Sequence, residues 1–307
     1  MAEQFTVHTT TPSEAEIERE RARTLAEGRR KHAVSSAVRY AILAGVGFLM
    51  LYPLIWLIGA SFKENAEIFA NPGFIPEEPT LDGYIKGWQT STPYTFATFF
   101  WNTFLIILPK VIGTAISCTA VAYGFARFEF PGKRILFATV IATLLLPNVV
   151  TRIPQYLLFR DLGWLDTFLP LWVPSAFAGD AFFVFMLIQF LRAIPRDMEE
   201  AARVDGANTW QTLVFIVVPM LAPALISVCL FQFMWTMNDF LGPLIYLSSV
   251  EKYPVSLALK LSIDTTEAFQ WNRILAMSVL ALVPALTVFF LAQKYFIEGI
   301  STGGLKG

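Results

Sequence analysis

The sequence is poor in the residues from which metal sites, disulfides and many catalytic centres are built. It has two cysteines and two histidines among 307 residues. Cys118 and Cys229 lie in apolar runs without disulfide or metal-ligand spacing, so we expect two small buried hydrophobes and no metal site. His8 and His32 precede the first apolar run. A histidine- or cysteine-based catalytic centre within the apolar part of the chain is therefore disfavoured.

Charge is also scarce. Asp, Glu, Lys and Arg make up 15% of the residues, whereas soluble domains have ~25%. Hydrophobic residues make up 55%, the mean hydropathy is +0.54, and the net charge is −1. Duplex nucleic acid needs a concentrated basic face, so we expect no nucleic-acid partner. Lipid is the expected solvent for most of the chain.

Six apolar runs are long enough to cross a bilayer, whose ~30 Å hydrocarbon core requires about 20 helical residues. They are roughly Val38–Ala60, Trp101–Phe125, Ile135–Val150 with some extension, Phe168–Phe190, Thr212–Trp235 and Ile274–Phe296. The connections are polar and contain Pro or Gly, as expected outside lipid. The sequence thus predicts an all-α membrane protein with six transmembrane helices.

These runs divide the chain into five segments. Residues 1–37 form a charged cytoplasmic extension, 38–60 the first transmembrane helix, and 61–100 an extracytoplasmic loop. Residues 101–296 form a core of five helices with a polar loop at about 192–211, and 297–307 form a tail. Lys and Arg are concentrated near the amino terminus, so the positive-inside rule places both termini in the cytoplasm.

The polar loop has the pattern of two helices joined at a glycine. Acidic residues open the first helix, where the helix dipole favours negative charge. They are Asp197, Glu199 and Glu200. Gly206 suits a left-handed helix stop, and Asn208 with Gln211 can cap the second helix. A bilayer surface would bring Glu199, Glu200 and Asp205 to anionic headgroups, so a protein groove is the expected partner.

This loop resembles the cytoplasmic signature of the permease subunits of ATP-binding-cassette importers, which reads Glu-Ala-Ala, then Gly, then an apolar helix with Pro. The matching residues are Glu200, Ala201, Ala202, Asp205, Gly206, Ala207 and Pro219. Residues Ala122–Lys133 and Gln293–Gly307 are similar to the smaller permease subunit of maltose-type carbohydrate importers. The resemblance covers roughly residues 38–307.

The resemblance implies a type I ABC importer permease fold in the bacterial plasma (inner) membrane, with a cytoplasmic coupling helix at Glu200–Gly206. It also implies four partners: a second homologous permease, two ATP-binding-cassette ATPase subunits and an extracytoplasmic solute-binding protein. The chain itself is expected to be a non-catalytic transport subunit without a cofactor. ATP and Mg are assigned to the ATPases, since the sequence contains no Gly-x-x-x-x-Gly-Lys-[Ser/Thr] phosphate-binding loop.

Polar residues within or beside the apolar runs are candidates for a solute path. Asp180 lies in the fourth run, where a charge costs ~2.5–3.5 kcal/mol at mid-bilayer. It is read as a pore contact, as an interhelical hydrogen-bonding group, or as a residue nearer the surface. Trp235, Asn238 and Asp239 combine an aromatic face with hydroxyl acceptors and suit a carbohydrate path. Trp235 equally suits an interfacial aromatic belt.

Two prolines near the start of the fifth run remove intrahelical hydrogen bonds. Pro219 and Pro223 therefore predict a bend, as either a moving hinge or a static kink.

A second class of function remains open from the sequence. A gated channel or membrane assembly subunit could use the same cytoplasmic helices to bind a partner that is not an ATPase. Intramembrane acid catalysis is disfavoured, because Asp180 and Asp239 have no second carboxylate, His or Cys at helix-face spacing beside them, and Glu200 lies in the polar loop.

Overall fold

The computed structural model describes residues 14–90, 93–264 and 270–303, and within these ranges the regular structure is helical, without strands. The helices are α1 (Glu14–Ala60), α2 (Glu67–Ala70), α3 (Asp82–Gln89), α4 (Phe96–Arg127), α5 (Lys133–Leu144), α6 (Asn148–Asp161), α7 (Leu169–Ala176), α8 (Ala181–Ala193), α9 (Asp197–Val204), α10 (Thr209–Thr212), α11 (Val218–Met220), α12 (Ala222–Met237), α13 (Leu241–Tyr246), α14 (Val255–Asp264) and α15 (Trp271–Gly303). A π-helix, Leu213–Val217, joins α10 to α11, and a 3₁₀ turn covers Val250–Lys252.

Four helical segments of the described chain are long and apolar enough to cross a membrane. They are Val34–Ala60, Phe96–Arg127, Leu169–Ala193 and Trp271–Lys294. Two helix pairs meet the same requirement only when each is taken together: Lys133–Leu144 with Val149–Asp161, bent by 105°, and Thr209–Met220 with Ala222–Met237, bent by 78°. The predicted all-α membrane class is confirmed. Six spans result if each bent pair crosses once, and that count stays a prediction.

The third predicted run differs most from the structure. The sequence predicts one run over roughly 135–150 with some extension; in the structure the helical residues continue to Asp161 and turn sharply after Leu144. Pro147 lies at this turn, where its ring and missing N–H prevent α5 from continuing.

The chain divides into two compact units, residues 1–57 and 58–307. In the first unit, the large apolar side chains of α1 from Val34 onward are mostly exposed. Exposed apolar side chains along a helix of this length are what a lipid-facing span requires.

In the second unit, α4 is the central helix and packs against α7, α8 and α12. Its carboxyl-terminal half contributes Cys118, Ala122 and Tyr123 to a buried cluster that also contains Leu187 of α8 and Val228 of α12. Cys118 is thus buried as expected, whereas Cys229 is only half-buried. α4 and α7 approach closely at Gly113, where a Cβ would lie 3.1 Å from the Cβ of Ala176.

α4 also links two polar regions at its opposite ends. Near its start, the Asn102 amide donates to the carbonyls of Glu251 and Tyr253 at 2.7 and 3.1 Å. At its last residue, Arg127 contacts Glu199 of α9. From Asn102 to Arg127 a helix spans about 38 Å. One continuous helix therefore connects the loop after α13 with the loop that carries α9.

A carboxylate fixes the loop after α13 to the loop before α7. Asp166 accepts hydrogen bonds from the backbone N–H groups of Ser248 and Ser249, both at 2.9 Å, and from the Ser249 hydroxyl at 2.6 Å. Lys252 Nζ lies 2.9 Å from the same carboxylate. Hydrogen bonding, first from the Ser249 hydroxyl, holds the pKa of Asp166 well below its usual value.

Candidate functional site

The loop between α8 and α12 forms the two helices predicted from the sequence. α9 ends at Val204, and Gly206 follows with a φ of +87°. The Ala207 N–H then donates to the Ala202 carbonyl at 2.9 Å, which satisfies a carbonyl at the helix end. The left-handed glycine stop is confirmed.

The second helix begins with the predicted cap. The Gln211 N–H donates to Asn208 Oδ1, and the Asn208 N–H donates to Gln211 Oε1, each at 2.9 Å. This reciprocal capping box starts a helix that continues through the π-helix to Met220. The cap thus fixes the start of the segment that leads into α12.

Glu199 faces the protein interior, where its partners are distant in sequence and were not predicted. Arg127 Nε lies 2.5 Å from Glu199 Oε1, and the Tyr123 hydroxyl donates to Glu199 Oε2 at 3.2 Å. The side chains of Arg127 and Glu199 are 4% and 3% exposed. Arg127 Nη2 also donates to the Ile194 carbonyl at 3.1 Å. We call Tyr123, Arg127 and Glu199 the paired cluster; it joins α9 to the end of α4.

The signature residues mostly face outward from α9. Glu200, Ala201, Asp205 and Gly206 are exposed, whereas Ala202 and Ala207 are half-buried. Large apolar side chains accompany them, and Val204 is 87% exposed. Beside the turn lies a cleft of about 330 Å³. It is lined by Ala202, Asp205, Gly206, Ala207, Gln211, Phe215 and Ile216. An exposed apolar surface of this kind is typical of an interaction site.

The two prolines of the candidate hinge flank a sharp bend. The helical axis turns by 78° between Met220 and Ala222, with Pro219 just before the bend and Pro223 just after it. Leu221, between them, is buried in the same core as Val217 and Ala224. A bend is confirmed; its role as a moving hinge or static kink stays open.

A polar cavity of about 380 Å³ lies among α4, α6, α7 and α12. Its lining includes Lys110, Arg152, Gln155, Ser175, Asp180, Gln232, Trp235, Asp239 and Tyr246. Three of the four candidate pore residues, Asp180, Trp235 and Asp239, thus line one cavity. Asn238 is outside this lining, and its amide donates to the Met234 carbonyl of α12 at 2.8 Å.

Asp180 lies at a break in the fourth run rather than inside a continuous helix. α7 ends at Ala176, α8 begins at Ala181, and Ala178 between them has a φ of +55°. The Ser117 hydroxyl of α4 accepts from the Ala178 N–H at 3.0 Å and donates to the Ser175 carbonyl at 2.9 Å. Irregular backbone is tolerated at membrane depth where it lines a cavity.

Several polar lining residues were not among the predicted site residues, and they include Lys110, Arg152 and Gln232. Lys110 is the only charged residue in the run Trp101–Phe125, and a charge within a span signals function. That signal was available. Arg152 follows the third predicted run, where a positive charge is equally typical of a loop outside lipid. Gln232 is a single amide among apolar residues of α12, and sequence alone gives little reason to choose it.

Among the residues that the structure describes, no cluster of three or more His, Cys, Asp or Glu side chains could hold a metal ion. The polar groups that line the cavity are amides, hydroxyls, carboxylates, an ammonium and a guanidinium group.

Membrane-spanning helices around a polar cavity, with a capped and exposed helix at one end of α4, define a polytopic membrane subunit of the transport type. The chain belongs to the family of binding-protein-dependent transport system inner membrane components, whose model matches residues 112–302. This confirms the resemblance to the permease subunits of ATP-binding-cassette importers.

The relatives extend over nearly the whole chain. A probable ABC transporter permease protein of Pyrococcus horikoshii is 31% identical, covering 88% of this chain and 96% of the relative. The arabinooligosaccharides transport system permease protein of Halalkalibacterium halodurans is 30% identical, covering 86% of this chain and 94% of the relative. A chain of a bacterial ABC transporter involved in import of the acidic polysaccharide alginate shares the fold, with a TM-score of 0.76 at 24% identity over 87% of this chain and 98% of that chain.

Proposed function

We propose that this chain is the permease subunit of an ATP-driven importer that translocates a carbohydrate or related solute across the bacterial inner membrane. The similarity to the arabinooligosaccharides transport system permease protein of Halalkalibacterium halodurans supports the solute class. The chain would pair with a second homologous permease, and a solute-binding protein would deliver the solute from the extracytoplasmic side. Residues 1–37 and 297–307 would lie in the cytoplasm.

The observation that carries the proposal is the two-sided geometry of α9. Its outward side presents Glu200, Ala201 and Gly206 to a partner, while Glu199 on its inward side is paired with Arg127 at the end of α4. The capped second helix leads from the same loop toward α12. Because α4 and α12 both line the polar cavity, displacement of α9 would reach the cavity along two helices.

Coupling of this kind has a thermodynamic requirement. ATP can drive a change between inward- and outward-facing forms only if it binds one state of the complex more strongly than the other. Two ATPase subunits, holding ATP and Mg, would provide that difference, and one of them would receive residues Glu200–Gly206 in a groove. A rigid, capped helix transmits the resulting displacement, whereas a flexible loop would absorb it.

The polar cavity is the proposed solute path in this chain. Asp180, Trp235 and Asp239 would contact the passing solute, and Asn238 is proposed for the neighbouring part of the path. Pro219 and Pro223 would permit the bend before α12 to change as the cavity opens to either side.

The proposal is tested by purifying the intact complex through a tag on this chain and reconstituting it into vesicles with the solute-binding protein. We expect a stoichiometric ATPase subunit and saccharide uptake that requires ATP hydrolysis. A pore that conducts without ATP, isolated without any nucleotide-binding subunit, would instead support the gated channel or assembly subunit.

A further inference from the structure

We infer that this chain contacts the solute directly through Gln232 and Lys110, and that the polar cavity binds an uncharged, hydroxyl-rich solute. This inference rests on the proposed transport function and adds a specificity site to it.

Gln232 has an unsatisfied hydrogen-bond acceptor in the cavity. The side chain is 2% exposed and lines the cavity, yet its Oε1 has no hydrogen-bond partner among the described residues. A buried amide oxygen without a partner costs about 1–3 kcal/mol. A solute hydroxyl that donates to Oε1 would remove this cost, so the cavity favours a ligand with hydroxyl donors.

Two basic side chains in the cavity, Lys110 and Arg152, also lack partners among the described residues. Both line the cavity, and within the described part of the chain neither forms an ion pair or a hydrogen bond. Lys110 comes from the middle of α4, where an unpaired ammonium is costly unless water or a ligand solvates it. An ammonium group donates up to three hydrogen bonds, which hydroxyl oxygens can accept.

The charges around the cavity favour a neutral solute. Two carboxylates, Asp180 and Asp239, balance the two basic side chains formally. Asp180 receives a hydrogen bond from the Ser175 hydroxyl at 3.2 Å, and Asp239 receives one from the Gly242 N–H at 3.0 Å. An anionic solute would meet these carboxylates, and a cationic solute would meet the basic groups. Hydroxyl groups both donate and accept hydrogen bonds, so they can pair with the two carboxylates and with the two basic side chains.

The shape of the site agrees with a saccharide unit. The volume of about 380 Å³ lies within the ~300–1,000 Å³ range of small-molecule sites. Trp235 packs against Phe182 and Phe183 at centroid distances of 5.4 and 5.0 Å and remains 48% exposed. Its ring offers a fixed apolar surface beside the polar groups.

The test is saccharide uptake by the intact importer in vesicles, with its solute-binding protein and three labelled probes: arabinotriose, maltotriose and an alginate trisaccharide. Wild type is expected to take up a neutral probe in preference to the acidic one. Gln232→Leu should raise the half-saturation concentration for that probe about three- to tenfold, whereas Gln232→Glu, which keeps an acceptor, should raise it less. Gln189→Leu, at an exposed glutamine of α8 outside the cavity lining, is the matched control and should change nothing.

A further readout separates recognition from a structural role. Monodeoxy derivatives of the transported neutral probe should lose uptake in wild type at one hydroxyl position, and that loss should vanish in Gln232→Leu. Lys110→Met provides an independent variant should Gln232→Leu fail to assemble, and it should also raise half-saturation.

The outcomes distinguish this inference from the proposed function. ATP-dependent uptake with unchanged half-saturation in all cavity variants, or preferential uptake of the acidic probe, would overturn the inference and leave the transport function intact. No ATP-dependent uptake of any saccharide by wild type would overturn both.

Discussion

The second unit contains two groups of polar residues, the buried paired cluster and the largely half-buried lining of the polar cavity, and they differ in how their polar atoms are satisfied. In the paired cluster, Glu199 has Arg127 and Tyr123 within hydrogen-bonding distance. In the polar cavity, Lys110 and Gln232 Oε1 have no partner within the described chain. Closed polar networks fix two elements together, whereas open ones cost free energy until something binds. We therefore infer that the paired cluster holds α9 in place, whereas the polar cavity offers unsatisfied polar groups to a ligand.

The largest expected effect is a loss of stability when the paired cluster is broken. A cavity residue of the same helix, α4, provides the matched comparison. Arg127→Met leaves the Glu199 carboxylate buried without its partner and should cost about 3–5 kcal/mol. Lys110→Met, at the other site in α4, removes a charge that is already unpaired and should not lower stability. Thermal unfolding of the purified complex measures both. Equal losses of stability in the two variants would contradict the distinction between the paired cluster and the polar cavity.

The next effect concerns the turn that presents the outward side of α9. Gly206→Val forces a β-branched residue into a left-handed conformation, which should cost about 1–3 kcal/mol locally and uncouple ATP hydrolysis from uptake. Gly206→Asn should retain coupling, because Asn tolerates this conformation. Gly124→Ala, at a helical glycine with open space around it, is the control. Normal transport by Gly206→Val in vesicles would contradict the proposed role of this turn in coupling.

A smaller effect is expected from the cap of the second helix. Asn208→Ala removes the acceptor for the Gln211 N–H and should destabilise the start of this helix by about 1 kcal/mol. Hydrogen–deuterium exchange over residues 208–220 should then increase, while exchange in α8 stays constant. Unaltered exchange in the second helix would mean that the capping box does not hold it.

The smallest expected effect is a pH dependence of stability that arises from Asp166, in the polar region at the opposite end of α4. The pKa of Asp166 is depressed, so its contribution to stability is complete above the ordinary carboxyl pKa of ~3.9 and declines as pH falls below it. The difference in melting temperature between wild type and Asp166→Asn should therefore be constant from about pH 7 to 5 and shrink below about pH 4. A difference that grows on acidification would contradict the assignment.

The loop around α9 was predictable because its signals are local. The left-handed stop at Gly206 and the reciprocal cap of Asn208 and Gln211 involve residues within a few positions of each other. Backbone preference and side-chain capping act over that range. The role of the loop as a coupling element came from resemblance and stays a prediction.

The partners of Glu199 and the lining of the cavity were not predictable in the same way. Glu199 and Arg127 are 72 positions apart, and only the packing of α8 against α4 brings them together. Asp180 was placed inside a run, but the break between α7 and α8 depends on Ser117 of another helix. Lys110 carried a readable signal as a lone charge in a span, whereas Gln232 became informative only through its burial.

The central claim is that motion of α9 reaches the cavity through the paired cluster. Its most direct test is the ratio of solute taken up to ATP hydrolysed, measured in the same vesicles for wild type, Arg127→Glu, Glu199→Arg and the double variant with the charges exchanged. We predict that either single change lowers the ratio and that the exchange restores it toward the wild-type value. Single variants that assemble and keep the wild-type ratio would contradict the claim.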